Sequence, residues 1–222
     1  MFLRVGHRGA VAYEIENTIE SFQKAIELGV NAIELDVRQS KEGKLIVCHD
    51  DDLKRVYGKE QPVNKATLHE LKKLTKNRIA SLEEALRFID RKVDKILVEL
   101  KQTGYEEKIL DVIRKEKLTD NVIVVSFLGE CLAQTRALDA EIETGLIYTK
   151  FRYPIEVAQK LDAHYLVPLY RFVHTKDVEK AHKFNLKVIV WTINDRDEAL
   201  KYIAKGVDGI ATDKPDIFTD IV

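Results

Sequence analysis

The sequence predicts an α/β fold, the closed (βα)8 TIM barrel, on three observations. Short apolar, β-branched runs recur along the chain, and each is followed by a segment with helical periodicity. The alternation repeats about eight times with short connections, which is the count of a closed barrel. The chain has 222 residues with no Gly-, Pro- or Ser-rich linker, room for one domain spanning 1–222 near the lower size limit of that fold. A doubly wound open sheet is the competing architecture for the same alternation.

Taken in order, residues 2–6 read as the first strand and 18–28 as its helix; 31–37 is the second strand, with 44–48 extending or following it. The stretch 50–76 breaks the pattern with a charged turn, a loop holding Gly58 and Pro62, and a short helix over 67–74. We read it as a small insertion, a lid or subdomain, after the second strand and before a helix at 81–90. Strands then fall at 96–101, 122–126, 143–147, 165–167, 187–191 and 207–211. Helices fall between them at 105–115, 129–138, 154–160, 176–184 and 196–204, with a closing helix from Lys214.

Composition narrows the function. An apolar fraction of 45% excludes intrinsic disorder, and 36 basic against 37 acidic side chains argue against a dedicated nucleic-acid or anionic-membrane binder. No segment nears the roughly 18 uninterrupted apolar residues of a membrane span, so no stable membrane insertion is expected. The first residues lack the succession of a secretory leader. Cys48 and Cys131 stand far apart without ligand spacing, as small buried hydrophobes in a reducing, cytoplasmic compartment. A charged fraction of 33%, rich in Lys and Glu with 1 Met, is the composition often seen in thermophiles.

In such a barrel, catalytic groups stand at the C-terminal strand ends. Those ends read His7-Arg8-Gly9, Glu34-Leu35-Asp36, His49-Asp50, Glu99-Leu100-Lys101, Ser126-Phe127, Trp191-Thr192-Ile193-Asn194 and Thr212-Asp213. Strand parity puts Glu34 with Asp36 and Glu99 with Lys101, opposite Ile33, Leu35, Val37, Val98 and Leu100. If the apolar set packs on the outer helices, three carboxylates converge in the barrel mouth, where a hard divalent ion would relieve their repulsion. Mg2+ or Ca2+ suits an all-oxygen set, and Mn2+ would serve as well. Glu34, Asp36 and Glu99 are therefore the candidate metal ligands. His7 and His49 end neighbouring strands beside them as a general acid/base pair, whereas His69, His164, His174 and His182 lie in or near helices or away from strand ends. Arg8 and Lys101 add cations that would bind phosphate, although a carboxylate substrate would use the same charges. Phe127 and Trp191 offer an apolar wall for a small organic group.

Together these motifs resemble the glycerophosphodiester phosphodiesterases. The likeness runs through His7-Arg8-Gly9, Glu16-Asn17-Thr18, Glu34-Leu35-Asp36, His49-Asp50, Leu53, Thr67-Leu68-His69-Glu70-Leu71, Ser81-Leu82-Glu83-Glu84, Glu99-Leu100-Lys101 and Ser126-Phe127. It continues in Trp191-Thr192-Ile193-Asn194 and Asp208-Gly209-Ile210-Ala211-Thr212-Asp213-Lys214-Pro215. Ala80 stands where the family often has Pro, Cys48 precedes the histidine, and residues 128–184 match weakly. The resemblance implies a TIM barrel that hydrolyses small glycerophosphodiesters to glycerol 3-phosphate and an alcohol with a divalent metal. It implies His7 and His49 as the acid/base pair, Glu34, Asp36 and Glu99 as ligands, and Arg8 and Lys101 on the phosphate; our own mechanistic reading provisionally makes His7 the base and His49 the acid. Three other activities stay open on the residues alone: a phospholipase-D-like or phosphoinositide-lyase-like enzyme, a Schiff-base aldolase using Lys101, and a non-catalytic phosphoester-binding module.

Overall fold

The structure, a computed structural model, describes residues 1–221. Its sheet is built from β1 (Leu3–Gly6), β2 (Ala32–Gln39), β3 (Leu45–Val47), β4 (Lys95–Leu100), β5 (Val122–Ser126), β6 (Glu143–Tyr148), β7 (Tyr165–Pro168), β8 (Lys187–Val190) and β9 (Gly209–Thr212). All but β3 are parallel, and β1 pairs with both β2 and β9, which closes an eight-stranded barrel. β3 runs antiparallel along the far end of β2, outside the ring. The helices are α1 (Ile19–Glu27), α2 (Lys54–Tyr57), α3 (Leu68–Leu74), α4 (Leu82–Ile89), α5 (Glu106–Lys115), α6 (Gly129–Leu138), α7 (Pro154–Lys160), α8 (Thr175–Lys183) and α9 (Arg196–Ala204).

Side-chain alternation builds the two cores. Ile33, Leu35, Val37, Val98 and Leu100 point outward and pack with Phe22, Leu86 and Ile109 of the surrounding helices. Val5, Ala32, Leu97, Ile123, Val125, Ile147, Tyr165, Val167, Ile189 and Ala211 point inward and fill the barrel. Glu34 and Asp36 continue the inward row of Ala32, and Glu99 continues that of Leu97, so the parity that buries the apolar strand faces also aims these carboxylates inside. Helix starts are fixed by side chains: Thr18 accepts from Ser21 N, and Thr67 and Ser81 form capping boxes with Glu70 and Glu84. Each such cap contributes about 1 kcal/mol.

The irregular stretch follows β3, carries α2 and α3, and packs on a small core of its own formed by Ile46, Cys48, Leu53, Val63, Ala66, Leu71 and Ile79. Both cysteines are free and buried, and burial pushes the Cys48 thiol up to about 12 and the Cys131 thiol to about 11, which keeps them unreactive. The expected closing helix is only a 3-10 turn, Pro215–Phe218. Its buried residues Pro215, Ile217 and Phe218 fill a single tight turn, which ends where the backbone of Thr219 leaves the helical region.

Gly9 brings the first loop into place. It adopts φ +89°, and a Cβ there would lie 2.3 Å from Ser21 Oγ and 2.6 Å from the Ser21 backbone carbon. Ser21 meanwhile accepts from Ala10 N through Oγ at 2.8 Å and donates to Arg8 O at 2.9 Å. Gly9→Ala should therefore lower stability by about 1–3 kcal/mol, read as a fall in the urea midpoint. Gly58 also has positive φ but open space around it. Gly58→Ala should lose less, and an equal loss at both positions would show that backbone strain and not the Ser21 overlap decides.

Candidate active site

The C-terminal end of the barrel opens into a cavity of about 170 Å³ lined by His7, Arg8, Glu34, His49, Glu99 and Lys101 on one side. The other side is apolar, formed by Leu97, Val125, Ile147, Val167, Ile189 and Ala211 with Phe127 and Trp191 at the lip. The two aromatic rings meet edge to face at 5.8 Å, and Trp191 Nε1 donates to Val167 O at 2.8 Å, which fixes the indole.

Asp36, Glu34 and Glu99 are buried, and each offers an oxygen within 4.8 Å of the other two. Asn17 grips Asp36 twice, donating to Oδ2 at 2.8 Å and accepting from Asp36 N at 3.2 Å. Lys101 Nζ stands 3.1 Å from Asp36 Oδ1 and donates to Glu99 Oε1 at 2.7 Å, while Arg8 Nε is 3.2 Å from Asp36 Oδ2. Arg8 has left-handed backbone, φ 52°, and its N–H donates to Glu34 Oε2 at 2.9 Å. Glu34 Oε1 and Asp36 Oδ1 are buried without a well-formed hydrogen bond. Burial opposes ionisation of Asp36, but Lys101 and Arg8 hold its carboxyl far below the usual carboxylate range. For Glu34 and Glu99, burial and then the Asp36 charge raise the pKa to about 7 and about 8.

Each histidine is oriented by a carboxylate. His7 Nδ1 lies 2.7 Å from Asp213 Oδ1, and Asn194 in turn donates to Asp213 Oδ2 at 2.7 Å. His49 Nδ1 lies 2.6 Å from Asp50 Oδ1. With Nδ1 engaged in both, Nε2 is the nitrogen left for chemistry. Burial alone would lower His7, but the bond to Asp213 and the Glu34 charge outweigh it, so its pKa is raised. Burial dominates at His49, whose pKa is lowered. Arg55 of α2 holds the outer ends: it donates to Asp50 Oδ2 at 2.6 Å and to both Glu16 oxygens at 2.7 Å, and Glu16 accepts from Arg8 Nη1 at 3.0 Å.

The structure thus brings together all nine residues singled out from the sequence: eight line the cavity and Asp36 stands beside it. The other four histidines lie away from the cavity, on α3 and α8 or their edges and below β7. Asp213, Asn194, Asp50, Glu16 and Asn17 lie in motifs visible in the sequence, yet nothing local says that they orient the histidines and Asp36. An acidic residue directly after His49 was the available signal. Arg55 carried none, because its partners are 5 and 39 positions away.

The pKa directions set a pH dependence. A carboxyl raised from about 4.5 to about 7–8 on folding keeps a proton that the unfolded chain releases, so folded stability falls as pH rises from about 4.5 to 8 and then levels. Urea midpoints of the chelator-treated chain should drop between pH 5 and pH 8, and Glu34→Gln or Glu99→Gln should flatten the decline. An unchanged slope in both variants would remove these carboxyls as its source.

Comparison with known proteins agrees with this geometry. The model of the glycerophosphoryl diester phosphodiesterase family matches residues 7–217. A glycerophosphodiester phosphodiesterase of Caldanaerobacter subterraneus subsp. tengcongensis is 32% identical, covering 99% of this chain and 97% of the relative. A solved glycerophosphodiester phosphodiesterase of Thermotoga maritima superposes with a TM-score of 0.86 at 32% identity, over 100% of this chain and 99% of the other. An Oleispira antarctica phosphodiesterase solved with the product sn-glycerol-3-phosphate gives a TM-score of 0.90 at 28% identity, over 98% and 95%. Fold, site and full-length likeness converge: the chain belongs to the glycerophosphoryl diester phosphodiesterase family of enzymes.

Proposed function

We propose that the enzyme hydrolyses glycerophosphodiesters to glycerol 3-phosphate and an alcohol, with a divalent cation, Mg2+, Ca2+ or Mn2+, held by Glu34, Asp36 and Glu99. The observation that carries the reading is the pairing of two carboxylate-oriented imidazoles with a buried three-carboxylate cluster flanked by Arg8 and Lys101. The fit to a cation rests on the oxygens themselves. They are buried, close, and two of them lack a hydrogen bond. The bound cation would supply charge neutralisation at the non-bridging phosphate oxygens.

The remaining work falls to the chain. Arg8 and Lys101 bind the phosphate and offset its charge as it grows in the transition state. The shifts at the histidines favour a reversal of the provisional assignment. His49, lowered by burial, is neutral near pH 7 and takes at Nε2 the proton of the attacking glycerol 2-hydroxyl; its new P–O bond replaces the one to the departing alcohol, and water then opens the cyclic phosphate to glycerol 3-phosphate. His7, whose burial is outweighed by its bond to Asp213 so that its pKa is raised, is the better donor of a proton to the leaving oxygen. Lys101 is a poor candidate for a Schiff base: burial works against its charge, but Asp36 and Glu99 prevail and keep the ammonium protonated. The apolar wall excludes water from half of the cavity and leaves the charged half to position the phosphate.

Chelation should abolish turnover of glycerophosphocholine, and readdition of Mg2+, Ca2+ or Mn2+ should restore it; full activity in the stripped enzyme removes the ligand set. His7→Ala and His49→Ala should each lower kcat by about 10²–10⁴-fold on that substrate. A p-nitrophenyl glycerophosphodiester separates their roles, because its leaving group departs without a proton. His7→Ala should recover most of its loss there and His49→Ala should not. The opposite pattern returns the base to His7.

A further inference from the structure

Ten large apolar side chains stand exposed among the described residues, and five of them lie on three consecutive loops at the C-terminal end of the barrel. They are Phe127 and Leu128 after β5, Phe151 and Tyr153 after β6, and Phe172 after β7, each between 41% and 53% exposed. That grouping differs from the single scattered hydrophobes of an ordinary surface. The loops after β6 and β7 read Thr149-Lys150-Phe151-Arg152-Tyr153 and Leu169-Tyr170-Arg171-Phe172-Val173-His174. Cations alternate with aromatics and no carboxylate intervenes, in a chain of formal charge −1.

These cations are not engaged in ion pairs among the described residues. The pairs nearby belong to Lys180 with Glu156 and His182 with Asp208, and Asp177 caps α8 by accepting from His174 N at 2.8 Å. Arg152 instead lies over the Tyr153 ring at 5.2 Å and Arg171 over the Tyr170 ring at 5.6 Å. The two loops meet around one cavity of about 370 Å³ that Lys150, Phe151, Arg152, Arg171 and Phe172 share. Arg171 also shares a groove with Trp191, so this rim is continuous with the lip of the active site.

We propose that the rim is a docking surface for an anionic phospholipid bilayer, with Phe151, Tyr153 and Phe172 entering the headgroup region and Lys150, Arg152 and Arg171 meeting lipid phosphates. Aromatic rings beside unpaired cations match that interface in both chemistry and charge; the near-zero net charge of the chain speaks against a wholly basic surface and not against this local patch, and the contact is peripheral and reversible. Three cations neutralise too few phosphates to hold a nucleic acid. Two copies meeting through this rim would oppose like charges. The contact does not depend on the phosphodiesterase reading; joined to that reading, it turns the active-site mouth toward lysophospholipids at a membrane surface.

The test is cosedimentation of the full chain with vesicles of phosphatidylcholine alone or with phosphatidylglycerol as about a third of the lipid. The chain should partition onto the anionic vesicles, weakly onto the neutral ones, and come off in high salt. Phe151→Ser with Phe172→Ser, and separately Lys150→Glu with Arg152→Glu, should each reduce anionic partitioning by about tenfold or more with an unchanged urea midpoint. Equal binding by wild type and both double variants overturns the proposal. So does binding to a single-stranded oligonucleotide without vesicle binding, or self-association that the variants abolish. Since partitioning is read without turnover, its failure is distinct from a failure of the catalytic assignment.

Discussion

Three carboxylates buried within one small volume set the terms for everything around them. An isolated ionised carboxylate is costly to bury, and three together repel, so the surroundings must supply positive charge, hydrogen bonds or protons. The chain uses all three. Asp36, at the centre, stays ionised through Lys101, Arg8 and Asn17, whereas Glu34 and Glu99 on its flanks are pushed toward the neutral form. The left-handed backbone of Arg8, the neighbouring Gly9 and the placement of Asn17 follow from the need to deliver donors to these oxygens.

The same constraint divides the barrel lengthwise. Inward positions on β2 and β4 are charged at their upper ends, β1 and β9 lead into His7 and Asp213, and the inward positions of β5 through β8 stay apolar to the mouth. A cavity with one wall of fixed charges and one of hydrocarbon gives the polar end of a substrate a single favourable orientation. The histidines stand on the charged side, and each is tied to a carboxylate that comes from a different part of the chain. Asp213 follows the last strand and belongs to the barrel itself, while Asp50 opens the irregular stretch and is anchored by Arg55 within it. The insertion therefore reaches the candidate site through the Asp50 carboxylate and the Arg55 guanidinium that anchors it.

The barrel was legible in the sequence because strand parity and helical periodicity are local properties, and helices such as Leu82–Ile89 and Glu106–Lys115 fall where their periodicity puts them. The carboxylate cluster was legible for the same reason: Glu34, Asp36 and Glu99 interrupt apolar rows at a fixed alternation. What escaped was non-local. The antiparallel pairing of β3 with β2 depends on a turn whose direction no periodicity reveals. The support given by Arg55, Glu16, Asn194 and Asp213 depends on segments up to 206 residues apart meeting at the mouth. The final turn stops where the Thr219 backbone leaves the helical region, a break that the apolar spacing of Pro215, Ile217 and Phe218 does not reveal.

Trp191 is the sole tryptophan in the chain, and it stands at the lip of the cavity against Phe127 with its indole N–H bonded to Val167 O. Intrinsic emission excited at the red edge of the near ultraviolet therefore originates from one place, the entrance to the site. No background from a second indole dilutes it. The molecule carries its own optical reporter of occupancy, and equilibrium titrations of this enzyme need neither an attached dye nor a turnover assay.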